Sequence, residues 1–288
     1  MRYLLTASAA IALSGCSFLG LGQGGYSHGP TGYGHAPASY DPCNPYAGLN
    51  GNAACTKAST WNIEGAIGKD YMVGGDFTTP EDVAAVPGLT PNGVSMSDAY
   101  DSGTRYELGA SYAVNPNRKI TGMASWSNAE GNDVAFGTFA GPPANTLRGT
   151  VSDYKTFGLE AGLRQYFRPR PAPLVNSIRP YVEAKLGATK VDDITISNLR
   201  DNGGTVNGGT AQFYDGGWVP TAAGMIGVEA PVFQRATLAL ETGIRYRGAL
   251  DGNNTDFGPG GGVGVLAGLN NGSENFSVPV QLRGRYRF

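Results

Sequence analysis

Acidic and basic side chains recur at alternate positions in several short segments of this chain, as in Arg105 and Glu107 or Glu183 and Lys185. Residues an even number of positions apart point to the same face of a β-strand. Opposite charges gathered on one face can form ion pairs that fill a narrow interior, or they can line a charged conduit or gate. The set that shares this phase comprises Glu64, Arg105, Glu107, Glu160, Arg164, Glu183, Lys185, Glu241, Arg245, Arg283 and Arg285.

Catalytic chemistry has little to build on in the rest of the chain. Histidine is the usual general base near neutral pH, and the two histidines, His28 and His35, both lie in a glycine- and proline-rich segment. A serine and histidine constellation is therefore not expected in the strands or their connections. We predict that the protein is not an enzyme and has no catalytic residues.

Cofactor and metal motifs are also weak. The stretch GLGQGG at 20–25 matches the letters of a dinucleotide fingerprint, but neither a strand before it nor a helix after it is predicted. The stretch DGNNTD at 251–256 resembles a calcium loop but lacks the required glycine and distal glutamate. We expect no cofactor and no metal. A net charge of -2 also gives no reason to expect a nucleic-acid partner.

Alternation of apolar and polar residues predicts an all-β chain, an antiparallel up-and-down barrel of about eight strands. The predicted strands are 61–69, 103–114, 119–129, 154–167, 179–190, 218–229, 236–248 and 275–288. Their connections alternate between short turns and the long loops 70–102, 130–153, 191–217 and 249–274. Sorting of loop length to the two ends is typical of outer-membrane barrels.

Aromatic spacing favours a transmembrane barrel over a soluble one. Phe157 and Phe167 share one face ten residues apart, and so do Phe276 and Tyr286. At about 3.3 Å per residue and a tilt of about 40–45°, ten residues rise about 23–25 Å, close to the height of a lipid-facing apolar band. The apolar face would then meet lipid, and the charged set would point into the lumen. We expect the charges to form an ion-paired plug rather than a conduit or gate.

The first sixty residues are predicted to hold an export signal followed by a tether. MRYLLTASAAIALSGCS carries a positive charge, an apolar run and small residues, which predicts a signal peptide over 1–15. Leu13-Ser14-Gly15-Cys16 resembles the lipobox of bacterial lipoproteins, which implies lipidation of Cys16; alternatively Cys16 is a bystander in an ordinary signal. Residues 16–60 would form a disordered periplasmic tether. Export favours a disulfide between Cys43 and Cys55, with two free thiols as the alternative.

The last strand, SVPVQLRGRYRF, resembles the C-terminal signal of bacterial outer-membrane barrels. Together with RPYVEAKLGA, it makes 61–288 similar to the small eight-stranded barrels of the OmpA transmembrane-domain, OmpX and porin-opacity type. The resemblance implies the outer membrane of a Gram-negative bacterium, with a periplasmic N-terminus. It implies outer-membrane lipids, lipopolysaccharide and the barrel-assembly machinery as partners. Leu282, Tyr286 and Phe288 would form the assembly signal.

The resemblance implies fold and location more strongly than activity. We expect a structural role in envelope integrity. The alternatives are an adhesin or receptor-like module, which would bind an unknown extracellular ligand through the long loops, and a small channel.

Charge separates the two ends of the predicted barrel. The loop after the first strand has no lysine or arginine between Asp70 and Gly103, and the loop 249–274 is likewise acidic. The opposite rim gathers basic residues. They are Arg118, Lys119, Arg168, Arg170, Arg179 and Arg235.

Overall fold

A computed structural model of the chain describes most of the region after residue 60. The described residues are 61–79, 89–140, 145–170, 177–202, 204–253, 268–270, 272 and 274–288. The predicted signal peptide, tether, Cys16 lipidation and Cys43–Cys55 disulfide fall on residues 1–60, outside the described residues, and stay predictions.

Nearly all regular structure is strand. The strands are β1 (Trp61–Gly74), β2 (Asp76–Thr78), β3 (Leu89–Pro91), β4 (Val94–Ser95), β5 (Gly103–Asn115), β6 (Arg118–Ala129), β7 (Asp133–Phe139), β8 (Asn145–Val151), β9 (Tyr154–Tyr166), β10 (Arg179–Val191), β11 (Ile194–Asp201), β12 (Gly204–Asp215), β13 (Gly217–Pro231), β14 (Ala236–Arg247), β15 (Asp251–Gly252) and β16 (Asn275–Arg287). One short helix, α1, spans Met96–Ala99. The described residues contain no helix long and apolar enough to cross a membrane.

Eight of these strands close into a barrel. Their order is β1-β16-β14-β13-β10-β9-β6-β5, and β5 pairs back to β1. Every pairing is antiparallel. Each barrel strand pairs with the barrel strands that come before and after it in the chain, and the pairing of the first strand with the last closes the ring. The predicted all-β, eight-stranded up-and-down barrel is confirmed. Its predicted strand bounds agree within two residues, except that β1 runs five residues further, to Gly74.

Glycines on the inner face let the barrel wall close tightly. A Cβ at Gly187 would lie 2.0 Å from the carbonyl oxygen of Leu159, and one at Gly243 would lie 2.1 Å from that of Gly224. No side chain fits at such distances. These positions therefore require glycine, and their missing side chains leave the lumen to the long charged residues of the neighbouring strands.

The long connections differ from the prediction, because much of their described part is ordered β-structure rather than irregular loop. Strands in them form a six-stranded sheet of order β15-β12-β11-β8-β7-β3, and β2 pairs with β4. We call the described residues of 75–102, 130–153, 192–216 and 248–274 the cap. The prediction assigned no strands to these connections; cap strands form because the cap has an apolar core of its own, which gives them a surface to pack on.

Aromatic rings make up the centre of the cap. The Phe213 ring centroid lies 5.3 Å from that of Phe77, 6.0 Å from that of Phe136 and 5.0 Å from that of Tyr214. All four side chains are fully buried. The Tyr214 hydroxyl donates to the carbonyl oxygen of Phe77 at 2.6 Å. Burial raises the pKa of Tyr214 above its ordinary value, so the hydroxyl stays a donor.

Truncating this core should loosen the cap while leaving the barrel closed. Phe213→Ala removes a fully buried ring, a change that typically costs about 3–5 kcal/mol. We expect limited proteolysis to cut the cap of the variant faster, while heat-modifiable migration on a gel shows an intact barrel. Phe233→Ala, which truncates a ring that is 75% exposed in the short β13–β14 turn, is the matched control and should leave cap proteolysis unchanged. Equal cleavage of Phe213→Ala and wild type would mean that the cap has no cooperative core.

Candidate functional site

The lumen holds the main cluster of ionisable side chains. Seven carboxylates and seven cations form ion pairs there, and each residue is no more than 5% exposed. The carboxylates are Glu64, Asp70, Glu107, Glu160, Glu183, Glu229 and Glu241, and the cations are Arg105, Arg164, Lys185, Arg245, Arg247, Arg283 and Arg285. Equal numbers of the two signs favour attraction across the lumen over repulsion that would hold it open.

The central layer joins opposite parts of the wall through one arginine. Arg164 on β9 donates from Nη1 and Nη2 to the two oxygens of Glu64 on β1, at 2.8 and 2.9 Å. Its Nε and Nη2 also donate to Glu183 Oε2 on β10, at 3.0 and 2.9 Å. The remaining oxygen of Glu183 accepts from Thr121 Oγ1 at 2.6 Å. The guanidinium therefore crosses the lumen as a strut, and a fork of this kind is among the strongest hydrogen-bonded pairs in proteins.

Glu107 is the most crowded carboxylate. It accepts from Lys185 Nζ at 3.0 Å, from Arg283 Nη2 at 2.5 Å and from Arg105 Nε at 2.9 Å. Arg245 Nη2 approaches its Oε1 to 3.4 Å. These four cations come from four different strands, so the contact fixes the cross-section of the barrel rather than one hairpin.

The layer nearest the short turns centres on Glu241 and Glu229. Glu241 accepts from Arg283 Nε at 2.8 Å, from Arg285 Nη2 at 2.9 Å and from Gln281 Nε2 at 2.6 Å. Arg285 also pairs with Glu229. The Tyr181 hydroxyl donates to Glu241, and the Tyr181 ring lies 4.9 Å from the Arg285 guanidinium. An aromatic ring and several ion pairs therefore fill the lumen at the short-turn end.

The layer nearest the cap passes from charge to apolar core. Arg247 Nη2 donates to Asp70 at 2.6 Å, and its Nη1 donates to Asn275 at 3.1 Å. Asn275 Nδ2 donates to the Tyr154 hydroxyl at 2.9 Å, and the Tyr154 ring packs 5.2 Å from the Tyr100 ring of the cap. The mouth of the barrel is therefore covered by the apolar core of the cap.

The structure places all eleven residues of the charged set named from the sequence in the lumen. Three further charged residues in the lumen lie outside that named set. Asp70 shares the phase of Glu64 but lies beyond the predicted end of its strand, Arg247 has the phase of Arg245, and Glu229 lies on a strand whose phase the sequence left open. Continuing the alternation past residue 69 would have found Asp70.

Ion pairing in the lumen does not follow proximity along the chain. Glu64 and Glu183 occupy Arg164, whereas Glu160, four residues before Arg164 on β9, pairs with Arg245 at 3.2 Å and Arg105 at 3.7 Å. In a narrow lumen long side chains reach past their neighbours, so sequence spacing does not choose the partner.

Two of the six basic residues that the sequence placed at the short-turn end turn inward instead of facing solvent. Arg179 is 4% exposed, with its guanidinium 4.4 Å from the Tyr166 ring, and Lys119 lies 5.4 Å from the same ring. A cation–π interaction with the face of the Tyr166 ring stabilises both cations inside this end of the barrel.

The cap carries a second, shallower feature. A groove of about 530 Å³ is lined by residues 91–94 and 133–135 together with Asp98. Asp133 at its edge is held by Arg148 at 2.6 Å and Arg200 at 2.5 Å. Among the residues that the structure describes, no three His, Cys, Asp or Glu side chains come together as a possible metal site.

No protein-family model matches the chain, and no curated protein matches it. Among solved structures, Neisserial surface protein A is 12% identical, with a TM-score of 0.41 over 81% of this chain and 99% of that one. The outer membrane protein OprG from Pseudomonas aeruginosa is 16% identical, with a TM-score of 0.40 over 81% and 97%. The attachment invasion locus protein Ail of Yersinia pestis, in complex with the heparin analogue sucrose octasulfate, is 12% identical, with a TM-score of 0.35 over 79% and 99%.

Removing one partner of the central strut should be costly. Glu64→Ala leaves Arg164 buried and short of a carboxylate, and breaking a buried pair from one side typically costs about 3–5 kcal/mol. The measurement is urea unfolding of the refolded protein. Asp133→Ala, which breaks the partly exposed pairs in the cap, is the control and should cost at most about 1 kcal/mol. Similar losses for both variants would contradict a dry, paired lumen.

Proposed function

We propose that this chain is a non-enzymatic barrel protein of the outer membrane of a Gram-negative bacterium, with a structural role in the envelope. The observation that carries the proposal is a barrel with its surfaces inverted: charges fill the inside, and large apolar side chains cover the outside. A soluble barrel would have the reverse arrangement, because exposed apolar surface of this extent associates or aggregates in water.

The outer wall supports membrane insertion. Among the described residues, every exposed large apolar side chain lies on a barrel strand, on the short β13–β14 turn or at Phe288, and none lies in the cap. Leu186, Ile226 and Leu240 in the middle of the wall are 69%, 58% and 57% exposed. Lipid is the solvent that such a wall fits.

Aromatic residues mark two borders on this wall. Near the cap, Trp126 pairs in register with Tyr106 and with Phe157, and the Phe157 ring lies 6.3 Å from that of Trp218. Near the short turns, the Trp61 and Tyr112 rings lie 5.1 Å apart, and those of Tyr286 and Phe288 lie 5.6 Å apart. Such paired girdles fit the two interfaces of a bilayer.

The filled lumen favours a structural role over a channel. Interiors of eight-stranded barrels are just wide enough for side chains to fill, whereas aqueous pores belong to barrels of about 16–18 strands. The ion pairs described above cross this interior in several layers, and the cap core covers one mouth.

The orientation that we propose places the cap outside the cell. Long connections of outer-membrane barrels face the exterior and short turns face the periplasm. The N-terminal segment would then start in the periplasm and carry a lipid on Cys16. Lipopolysaccharide would surround the cap end of the barrel, and the barrel-assembly machinery would insert the chain through its last strand.

A second candidate function is binding through the cap. The connections that form it contain five, three, four and three acidic residues in chain order, against two arginines in total, Arg148 and Arg200. A rigid core beneath an acidic surface favours a basic partner over a polyanion. The groove beside Asp98 and Asp133 is the concave part of this surface.

A charge on the outer wall should block insertion. Leu240→Arg places a cation at the middle of the proposed lipid band, where it typically costs about 2–4 kcal/mol. We expect a lower yield of heat-modifiable barrel in vesicles and a lower urea midpoint than for wild type. Thr90→Arg, on an exposed cap position, is the control and should fold normally. Normal insertion of Leu240→Arg would contradict the proposed lipid-facing wall.

Complementation separates the two candidate roles. A strain lacking the gene should become sensitive to detergent if the barrel supports the envelope, and Phe213→Ala, with its barrel intact and its cap loosened, should restore resistance as well as wild type does. Failure of Phe213→Ala alone would favour binding through the cap. Normal resistance in the deletion strain would contradict the structural role.

A further inference from the structure

The end of the barrel opposite the cap carries positive charge without acidic neighbours in its turns. The three short connections and their flanks, residues 115–118, 167–178 and 232–235, contain four arginines and no aspartate or glutamate. We call Arg118, Arg168, Arg170 and Arg235 the basic rim. All four are exposed, and none of them forms an ion pair with a carboxylate of the described residues.

Hydrogen bonds among the described residues anchor three of the four basic-rim positions to the strand ends. The backbone N–H and C=O of Arg170 each bond to Ile178 at 2.8 Å, and the carbonyl oxygen of Arg235 accepts from Arg287 N at 2.8 Å. The Arg118 side chain rests against the neutral Gln165 at 2.7 Å. These exposed arginines therefore present positive charge to the surroundings of the barrel.

Strand register places this charge at a defined depth. Tyr112 lies beside Trp61 in the aromatic border near the short turns and pairs with Ile120. Arg118 lies two residues further towards the turn. Two residues of a tilted strand correspond to about 5 Å along the barrel axis. Arg118 of the basic rim thus lies just beyond the aromatic border, at the depth where headgroups would meet water in a bilayer that this border spans.

We propose that the basic rim binds the anionic headgroups of phospholipids in the leaflet at this end of the barrel. This inference rests on the proposed membrane-spanning function. The guanidinium group suits phosphate because its planar fork can donate two parallel hydrogen bonds.

Basic residues on the outer wall near the cap differ from the rim. Lys155 pairs with Asp153 at 3.8 Å, and Lys69 donates to Thr104 at 3.1 Å. Together with Lys190, these lysines form a matched control set of outward-facing cations at the opposite border.

Tryptophan quenching can test the proposal because Trp61 lies at the rim end, while Trp126 and Trp218 lie at the cap end. The full-length chain with Trp126→Phe and Trp218→Phe is refolded into vesicles that contain brominated phosphatidylglycerol or brominated phosphatidylcholine. We expect phosphatidylglycerol to be preferred about fivefold beside Trp61, the effect of roughly one basic side chain near an anionic surface. The preference should fall in high salt.

Charge variants assign the preference to the rim. Arg118→Gln, Arg168→Gln, Arg170→Gln and Arg235→Gln together should bring the ratio close to one, whereas Lys69→Gln, Lys155→Gln and Lys190→Gln together should leave it unchanged. The four arginine-to-lysine changes should retain most of the preference, which guards against a folding defect; heat-modifiable migration checks each barrel.

The outcomes also separate this inference from the proposed function. Equal quenching by the two lipids, or a preference that survives the four glutamine changes, would overturn lipid binding by the rim. Quenching by neither lipid would overturn membrane insertion itself.

Discussion

Pairing of charges inside a closed lumen is the constraint on which the rest of this structure depends. A guanidinium or carboxylate taken out of water costs several kcal/mol unless an opposite charge and further hydrogen bonds compensate for it. The barrel places fourteen such groups on seven of its eight strands, and its central arginine, Arg164, is fully buried between two glutamates. The strands must therefore keep one register, because a slip of one strand by one residue would turn its charged side chains to the apolar outer wall.

This constraint connects the inside of the barrel to both of its ends. Towards the cap, the polar network ends at Asn275 and Tyr154, where the apolar core of the cap begins. Towards the short turns it ends at Tyr166, whose hydroxyl donates to Glu229 at 2.9 Å and whose ring carries Arg179. Beyond these boundaries the connections that form the cap are rich in acidic residues, whereas the basic rim carries arginines. Closure of the lumen and the difference in charge between the two ends thus follow from one distribution of residues.

The barrel was predictable from the sequence, whereas the cap and the ion-pair partners were not. Barrel strands alternate strictly because one face lines the lumen and the other forms the outer wall. The sequence pattern therefore indicates that Lys185 points inward and Leu186 outward. Cap strands break this alternation with register shifts, as between Ser197 and Leu199, where Asn198 adopts a positive φ of 51°. Partner choice, as for Glu160 and Arg245, depends on distances across the lumen that no spacing along the chain encodes.

Single-channel recording in a planar bilayer tests the central claim most directly, since a lumen filled by paired side chains should pass no steady current. We predict no stable porin-sized conductance from the purified full-length protein, and at most small, infrequent openings. A steady large-conductance state in the wild-type protein, whose size changes when Arg164 or Glu241 is replaced by alanine, would contradict the account.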